Sequence, residues 1–145
     1  MLRYRVERRA DMIIRLTKEQ ICLLVEETRK NYPIEACGVL LGETKHEEAV
    51  VRKIITSHNV LESSTEFQVE PEEFLKVLSE AEKENMQLIG FFHSHPAPPH
   101  PSVSDVRHMS LWPENIWLII SSIGYDMAAY QTVKNGFRRI EIEVN

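Results

Sequence analysis

An α/β domain built on one mixed sheet, partly covered by helices, is the fold this sequence predicts, and three observations carry it. Two stretches repeat apolar residues at helical spacing, several short β-rich runs are bounded by turn signals, and the two kinds of segment alternate along the chain. At 145 residues the chain has the size of one domain with a core of several strands and helices.

The first helix is expected from about Lys18 to Asn31. Thr17 followed by Gln20 is a capping-box pair, and Ile21, Leu24, Val25 and Thr28 recur on one face. Tyr32-Pro33 stops it, because a residue before proline is pushed out of the helical region. CGVLLGE then reads as a buried strand, and Ala49 to Thr56 as a second strand after a polar turn around Lys45 to Glu48. Thr65 to Val69 is a shorter, alternating candidate. Pro71 suits a helix N1 position, Glu72 and Glu73 suit the first turn, and Phe74, Leu75, Val77, Leu78 and Ala81 form an apolar stripe. This second helix should end near Asn85. Gln87 to His93 reads as a strand, and Ser102 to Ser110 as a short helix. Three closing strands follow, at Ile116 to Ser121, Asp126 to Val133 and Phe137 to Val144. Gly124 separates the first two, and Asn135-Gly136, a strong hairpin signal, separates the last two.

The arginine-rich segment 1–11 lacks this periodicity and reads as a basic N-terminal extension, solvated or loosely docked, ahead of a domain over 12–145. It leaves room for self-association without requiring it. A net charge of −5, from 17 basic and 22 acidic residues, argues against a broad nucleic-acid surface. Apolar runs such as Ile116 to Ile120 fall far short of the ~20 residues that cross a membrane. The N-terminus also lacks the apolar core of a secretory signal, so a cytoplasmic location with no membrane partner is the plain reading. Cys22 and Cys37 form no framework and no CxxC pair, and both are expected as buried thiols.

The chemistry concentrates in FFHSHPAPPHPSVSD, Phe91 to Asp105. Residues two apart on a strand face the same way, so His93 and His95 can converge on one ion while Ser94 points away. Catalytic zinc usually takes three nitrogen and oxygen ligands from protein and leaves a fourth position for water, and Asp105 is the natural third. Four prolines between Pro96 and Pro101 stiffen the connection. Capping explains the same residues, since Ser102 to Asp105 matches a capping box, and a capped helix start would also fix the direction of a ligand. His100 is a rival third ligand, ranked lower because its turn is solvent-facing by composition; His46, His58 and His108 stand alone. Hydrolysis also needs a base, and Glu35 in YPIEACGVLLG is the best local candidate, at a sheet edge close to the core but open to water. On position alone, a surface role suits it better.

Together PIEACGVLLG, GFFHSHP and PSVSD resemble the JAMM or MPN+ metalloprotease family, whose signature is a distant Glu, then His-Ser-His-Pro, then Ser-x-x-Asp. The likeness runs from about Met12 and includes NVLESSTEFQVEPEEF and WLIISS. It implies a single MPN/JAMM-type domain with a mixed, mostly antiparallel sheet flanked by helices, a cytidine-deaminase-like architecture. It implies one zinc ion per chain on His93, His95 and Asp105, Glu35 as general base, and Ser102 as donor to the oxyanion. Substrates implied by the resemblance are bonds after the C-terminal Gly-Gly of a ubiquitin-like small modifier, or adducts of sulfur-carrier proteins. The short chain looks like the compact prokaryotic type. One departure is that the nine residues from Pro96 to Ser104 make a loop one shorter than the family's usual spacing, with SxxD itself intact.

The segment Ser63 to Phe67 is a candidate edge for an extended Gly-Gly tail. A non-catalytic MPN-type binding module is the competing reading from another class, and the intact Glu, His, His, Asp set counts against it. Cys37, two residues from Glu35, invites a redox role, although a strand-core thiol suits its position better. Amidohydrolase barrels also use HxH, but that fold takes ~250 residues.

Overall fold

The structure, a computed structural model, describes residues 12–63, 68–134 and 136–145. In chain order these form β1 (Ile13–Leu16), α1 (Lys18–Asn31), β2 (Cys37–Lys45), β3 (Glu48–Ser57), α2 (Pro71–Lys83), β4 (Gln87–His95), α3 (Val103–Met109), β5 (Ile116–Ser121), β6 (Met127–Val133) and β7 (Gly136–Val144). The strands close on themselves in the order β1-β3-β2-β4-β5-β6-β7. The domain is α/β and the sheet is mixed, as expected. The expected sheet, mixed and mostly antiparallel, closes on itself as a barrel, a closure the sequence reading did not include.

The closing piece is β1, which the sequence reading lacks. It is four residues long and pairs in parallel with two strands at once, Ile14 opposite Ala49 of β3 and opposite Ile142 of β7. Arg15 reaches out on the same strand to Glu48 and Glu143, fastening both seams. Register shifts in β2, around Leu40 to Gly42, bend that strand against both of its neighbours, as barrel closure requires.

Alternation along the strands divides the core in two. On β5, Ile116, Leu118 and Ile120 join Ile14, Leu40, Phe92 and Leu24 of α1. Trp117 and Ile119 face the other way, with Val39, Phe91, Ala81 of α2 and Met109 of α3. Coverage on both faces explains why β5 and most of β4 are buried without interruption. Gly90 is required where β4 meets β5, because a Cβ there would lie 1.7 Å from the Ile116 carbonyl oxygen.

The helices start where their caps say. The Thr17 hydroxyl accepts from Gln20 N, and the Gln20 side chain accepts from Thr17 N while donating to Val51 O on β3. The fully buried positions of α1 are Leu24 and Thr28. Cys22 lies off that face and is exposed, which corrects the expectation of two buried thiols; of the two, Cys37 alone is buried. α2 begins at Pro71 and stops at Lys83, ahead of Asn85, whose left-handed φ of 57° breaks the helix.

β4 runs two residues past its expected end, to His95. Of the Thr65 to Val69 candidate, residues 65–67 lie outside the described residues, and Val69 makes an isolated antiparallel bridge to Asn59. Asn135 of the hairpin signal also lies outside them, while β6 and β7 pair antiparallel up to Val133 and Gly136. Among the described residues, no helix is long and apolar enough to cross a membrane.

Candidate metal centre and active site

β4 and β5 are a parallel pair joined through α3, so that β4 ends at the histidines and the helix that follows the proline-rich loop carries the aspartate in its first turn. Sites in α/β folds form at such carboxyl ends. The alternation that turns Phe91 toward α3 also turns His93 and His95 there. His93 is fully buried, His95 is 9% exposed and Asp105 4% exposed. His93 Nε2 lies 3.1 Å and His95 Nε2 3.9 Å from Asp105 Oδ2, and one donor atom from each residue lies within 4.8 Å of the others.

Ser102 caps α3. Its hydroxyl accepts from Asp105 N at 3.0 Å, and Asp105 Oδ2 accepts from Ser102 N at 2.9 Å. Asp105 therefore caps the helix and joins the histidine group through the same carboxylate. Burial pushes its pKa up, yet the His93 ring and the Ser102 donors outweigh that and hold it below the ordinary aspartate value. Burial, with His93 beside it, pushes the His95 pKa down, so that ring is kept neutral.

A neutral imidazole is the form that binds metal. His95 Nε2 donates to the His100 carbonyl oxygen at 3.1 Å, an assignment of the tautomer made from that contact. Its Nδ1 is buried with no hydrogen-bond partner among the described residues. Two buried imidazoles and one ionised carboxylate are a donor set that fits zinc.

Glu35 approaches from the segment leading into β2. Cys37 pairs with His93, so the antiparallel register carried two residues further sets Glu35 opposite His95. Ser94, turned away from the ligand face, fixes this junction: its Oγ accepts from Ala36 N at 2.8 Å and its N donates to Ala36 O at 3.0 Å. Glu35 is 3% exposed, so it is buried rather than open at an edge as expected. It shares the lining of a cavity of about 460 Å³ with His95, Pro98, His100 and Ser102. Glu35, His95 and Ser102 therefore meet in one space. The proline-rich loop forms the far wall and is pinned by the Tyr130 hydroxyl, which donates to Pro99 O at 2.8 Å.

A second cavity of about 460 Å³ is lined by Phe74, Phe91, Trp112 and Trp117, with Arg107 and His108. Trp117, in its lining, stands edge-on to His93 with centroids 6.5 Å apart.

The structure leaves other sequence candidates aside. His100 is exposed and meets the group through its backbone carbonyl, not its ring. His46 is exposed in a turn, His58 is exposed beside Glu62, and His108 lies in the lining of the second cavity. Burial, with Glu35 and Glu73 nearby, pushes the Cys37 thiol up to about 12, so it stays protonated and unreactive, against a redox role. Segment 1–11 lies outside the described residues, as do residues 64–67 of the proposed tail edge. Ser63 is described, and its carbonyl accepts from Glu35 N at 2.7 Å. Sequence reasoning missed Asn59, which donates to Glu35 O at 3.2 Å. In HNVLESS an asparagine reads as a turn former, and only its 4% exposure marks it out.

Residues 17–133 match the family described as prokaryotic homologs of the JAB domain. The chain is similar to a desampylase of Pyrococcus furiosus, 43% identical over 112 residues covering 77% of this chain and 76% of that one. It is also similar to a desampylase of Haloferax volcanii, 32% identical over 117 residues covering 77% and 79%. In structure it resembles a protein of Desulfitobacterium hafniense solved in solution, with TM-score 0.82 and 30% identity over 92% of this chain and 93% of that one.

Proposed function

The chain belongs to the prokaryotic JAB-domain family, the compact JAMM type of metallohydrolase, and we propose that it is a zinc-dependent isopeptidase that cleaves after the C-terminal Gly-Gly of a ubiquitin-like small modifier. The observation that carries this reading is the buried His93, His95, Asp105 group opening onto a cavity shared by Glu35 and Ser102. Its two relatives named desampylases support it. Two free cysteines, one of them exposed, suit a reducing cytoplasm.

His93, His95 and Asp105 would hold one zinc ion, which when bound polarises the scissile carbonyl and makes water a better nucleophile. Glu35 takes the proton that the attacking water loses and returns it to the lysine amine as the C–N bond breaks. Its burial beside His95 suits proton transfer, since no bulk water competes there. The Ser102 oxygen accepts from Asp105 N, which leaves its own hydrogen available as a donor to the carbonyl oxygen as charge develops. The aromatic groove beside His93 offers apolar walls to the side chains that precede the Gly-Gly.

The test follows release of a modifier joined through Gly-Gly to a lysine, by mass spectrometry, with zinc-loaded wild type and Glu35→Gln. Release by wild type alone, with Glu35→Gln keeping its zinc and losing at least ~100-fold in rate, is expected. Equal rates would remove Glu35 as the base. No release by either protein would turn the assignment toward sulfur-carrier adducts or a binding module.

A further inference from the structure

We propose that Asn59 is a positioning residue that locks the backbone of Glu35 to one wall of the aromatic groove, so that filling the groove and placing the base are coupled. The inference rests on the isopeptidase reading. Asn59 lies just beyond β3 and is 4% exposed. Its amide nitrogen donates to Glu35 O at 3.2 Å and to Ser63 O at 3.4 Å, while its amide oxygen accepts from Leu61 N and Gln68 N, each at 3.1 Å. The orientation is fixed by these partners: a flipped amide would set oxygen against two carbonyls and NH₂ against two N–H groups.

The partners are what give the residue its role. Leu61 and Gln68 line the aromatic groove, and Ser63 O accepts the Glu35 amide as well as Asn59. One side chain therefore touches the groove wall and both ends of the clamp on Glu35. The histidine group is held by other means, through β4 and the α3 cap. A base displaced by about 1 Å loses on the order of 100-fold in rate, so a clamp of this kind is felt in turnover before it is felt in metal binding.

The test compares wild type, Asn59→Ala and Asn59→Asp with zinc, using the Gly-Gly lysine conjugate below all melting transitions. Asn59→Asp keeps the shape and the accepting oxygen but turns a second oxygen toward the Glu35 and Ser63 carbonyls, and it carries the test if Asn59→Ala does not fold. Expected are kcat lower by ~10-fold to ~100-fold and a raised KM, with zinc stoichiometry and affinity unchanged. A merely structural role would leave KM alone and lower kcat in step with the zinc-bound fraction, and that result overturns the proposal. Should wild type itself be inert, the isopeptidase reading fails and amide exchange decides the clamp. Faster exchange at Glu35, Leu61 and Gln68 with β4 still protected upholds it, and unchanged exchange at those amides overturns it.

Discussion

Replacing Asp105 with asparagine separates its two duties, capping α3 and completing the histidine group. In the wild type, Oδ2 accepts the Ser102 amide at 2.9 Å and lies 3.1 Å from His93 Nε2. The substituted side chain would keep an oxygen for Ser102 N, and the backbone N–H of the same residue would still reach the Ser102 hydroxyl, so the box survives without its charge. The loss is the difference between a charged and a neutral acceptor, about 1 kcal/mol, plus up to ~1 kcal/mol of helix-dipole interaction. For a chain of this size that lowers the metal-free Tm by roughly 3 to 6 °C. Zinc should respond far more strongly. Even partners of ligands cost ~10-fold to ~100-fold in affinity when removed, so loss of an anionic ligand should cost at least ~100-fold. At zinc ~1,000-fold above the wild-type Kd, stabilisation by the ion is about 4.1 kcal/mol; at the same concentration the variant, at ~10 Kd, gains about 1.4 kcal/mol. Thermal melts of both proteins, with chelator and with buffered zinc, read the two quantities separately. Equal zinc-dependent shifts would mean that Asp105 is a helix cap and no ligand.

Acid should weaken the metal-free protein in two windows. His95 has a lowered pKa, so the unfolded chain binds its proton first and stability falls as pH drops below about 6.5. Asp105 is also lowered, so its contribution is complete above about pH 4 and is lost as pH falls through its folded value. Urea midpoints against pH for wild type and Asp105→Asn should converge in the second window, and parallel curves there would refute the assignment. Gly90→Ala puts a Cβ 1.7 Å from Ile116 O, so β4 and β5 must part. A loss of ~3 kcal/mol or more and weaker zinc binding are expected from melts and chelator competition, and a neutral result would mean that the register at Gly90 is not what seats His93. A thiol reagent at pH 8 should label Cys22 in the native protein and leave Cys37 untouched until unfolding, as mass mapping of labelled peptides would show.

Local chemistry was legible in the sequence and long-range closure was not. The cap at Thr17, Pro71 at the head of α2, and the box from Ser102 to Asp105 are short-range patterns that the chain spells out within four residues. His93 and His95 share a face by strand geometry alone. By contrast, β1 has too few residues to show a period, and its partners lie far away in sequence, at residues 48–50 and 141–144. Cys22 was misjudged because composition makes thiols buried on average, whereas its angle from Leu24 and Thr28 turns it to solvent. Glu35 looked like an edge residue because nothing local shows that the segment around Asn59 and Ser63 folds over it.

The seating of β1 also sets an order in time. A strand at residues 13–16 that must lie between β3 and β7 cannot dock fully until residue 144 has been made. During synthesis β1 therefore waits for β7, and β3 and β7 carry unpaired edges meanwhile. Such a contact, spanning nearly the whole chain, is slow to form because its loop must close before any pairing rewards it. The barrel should thus be assembled as a nearly complete sheet that is sealed in a final step, and full protection of the amides along both seams should arrive later than that of β2, β4 and β5.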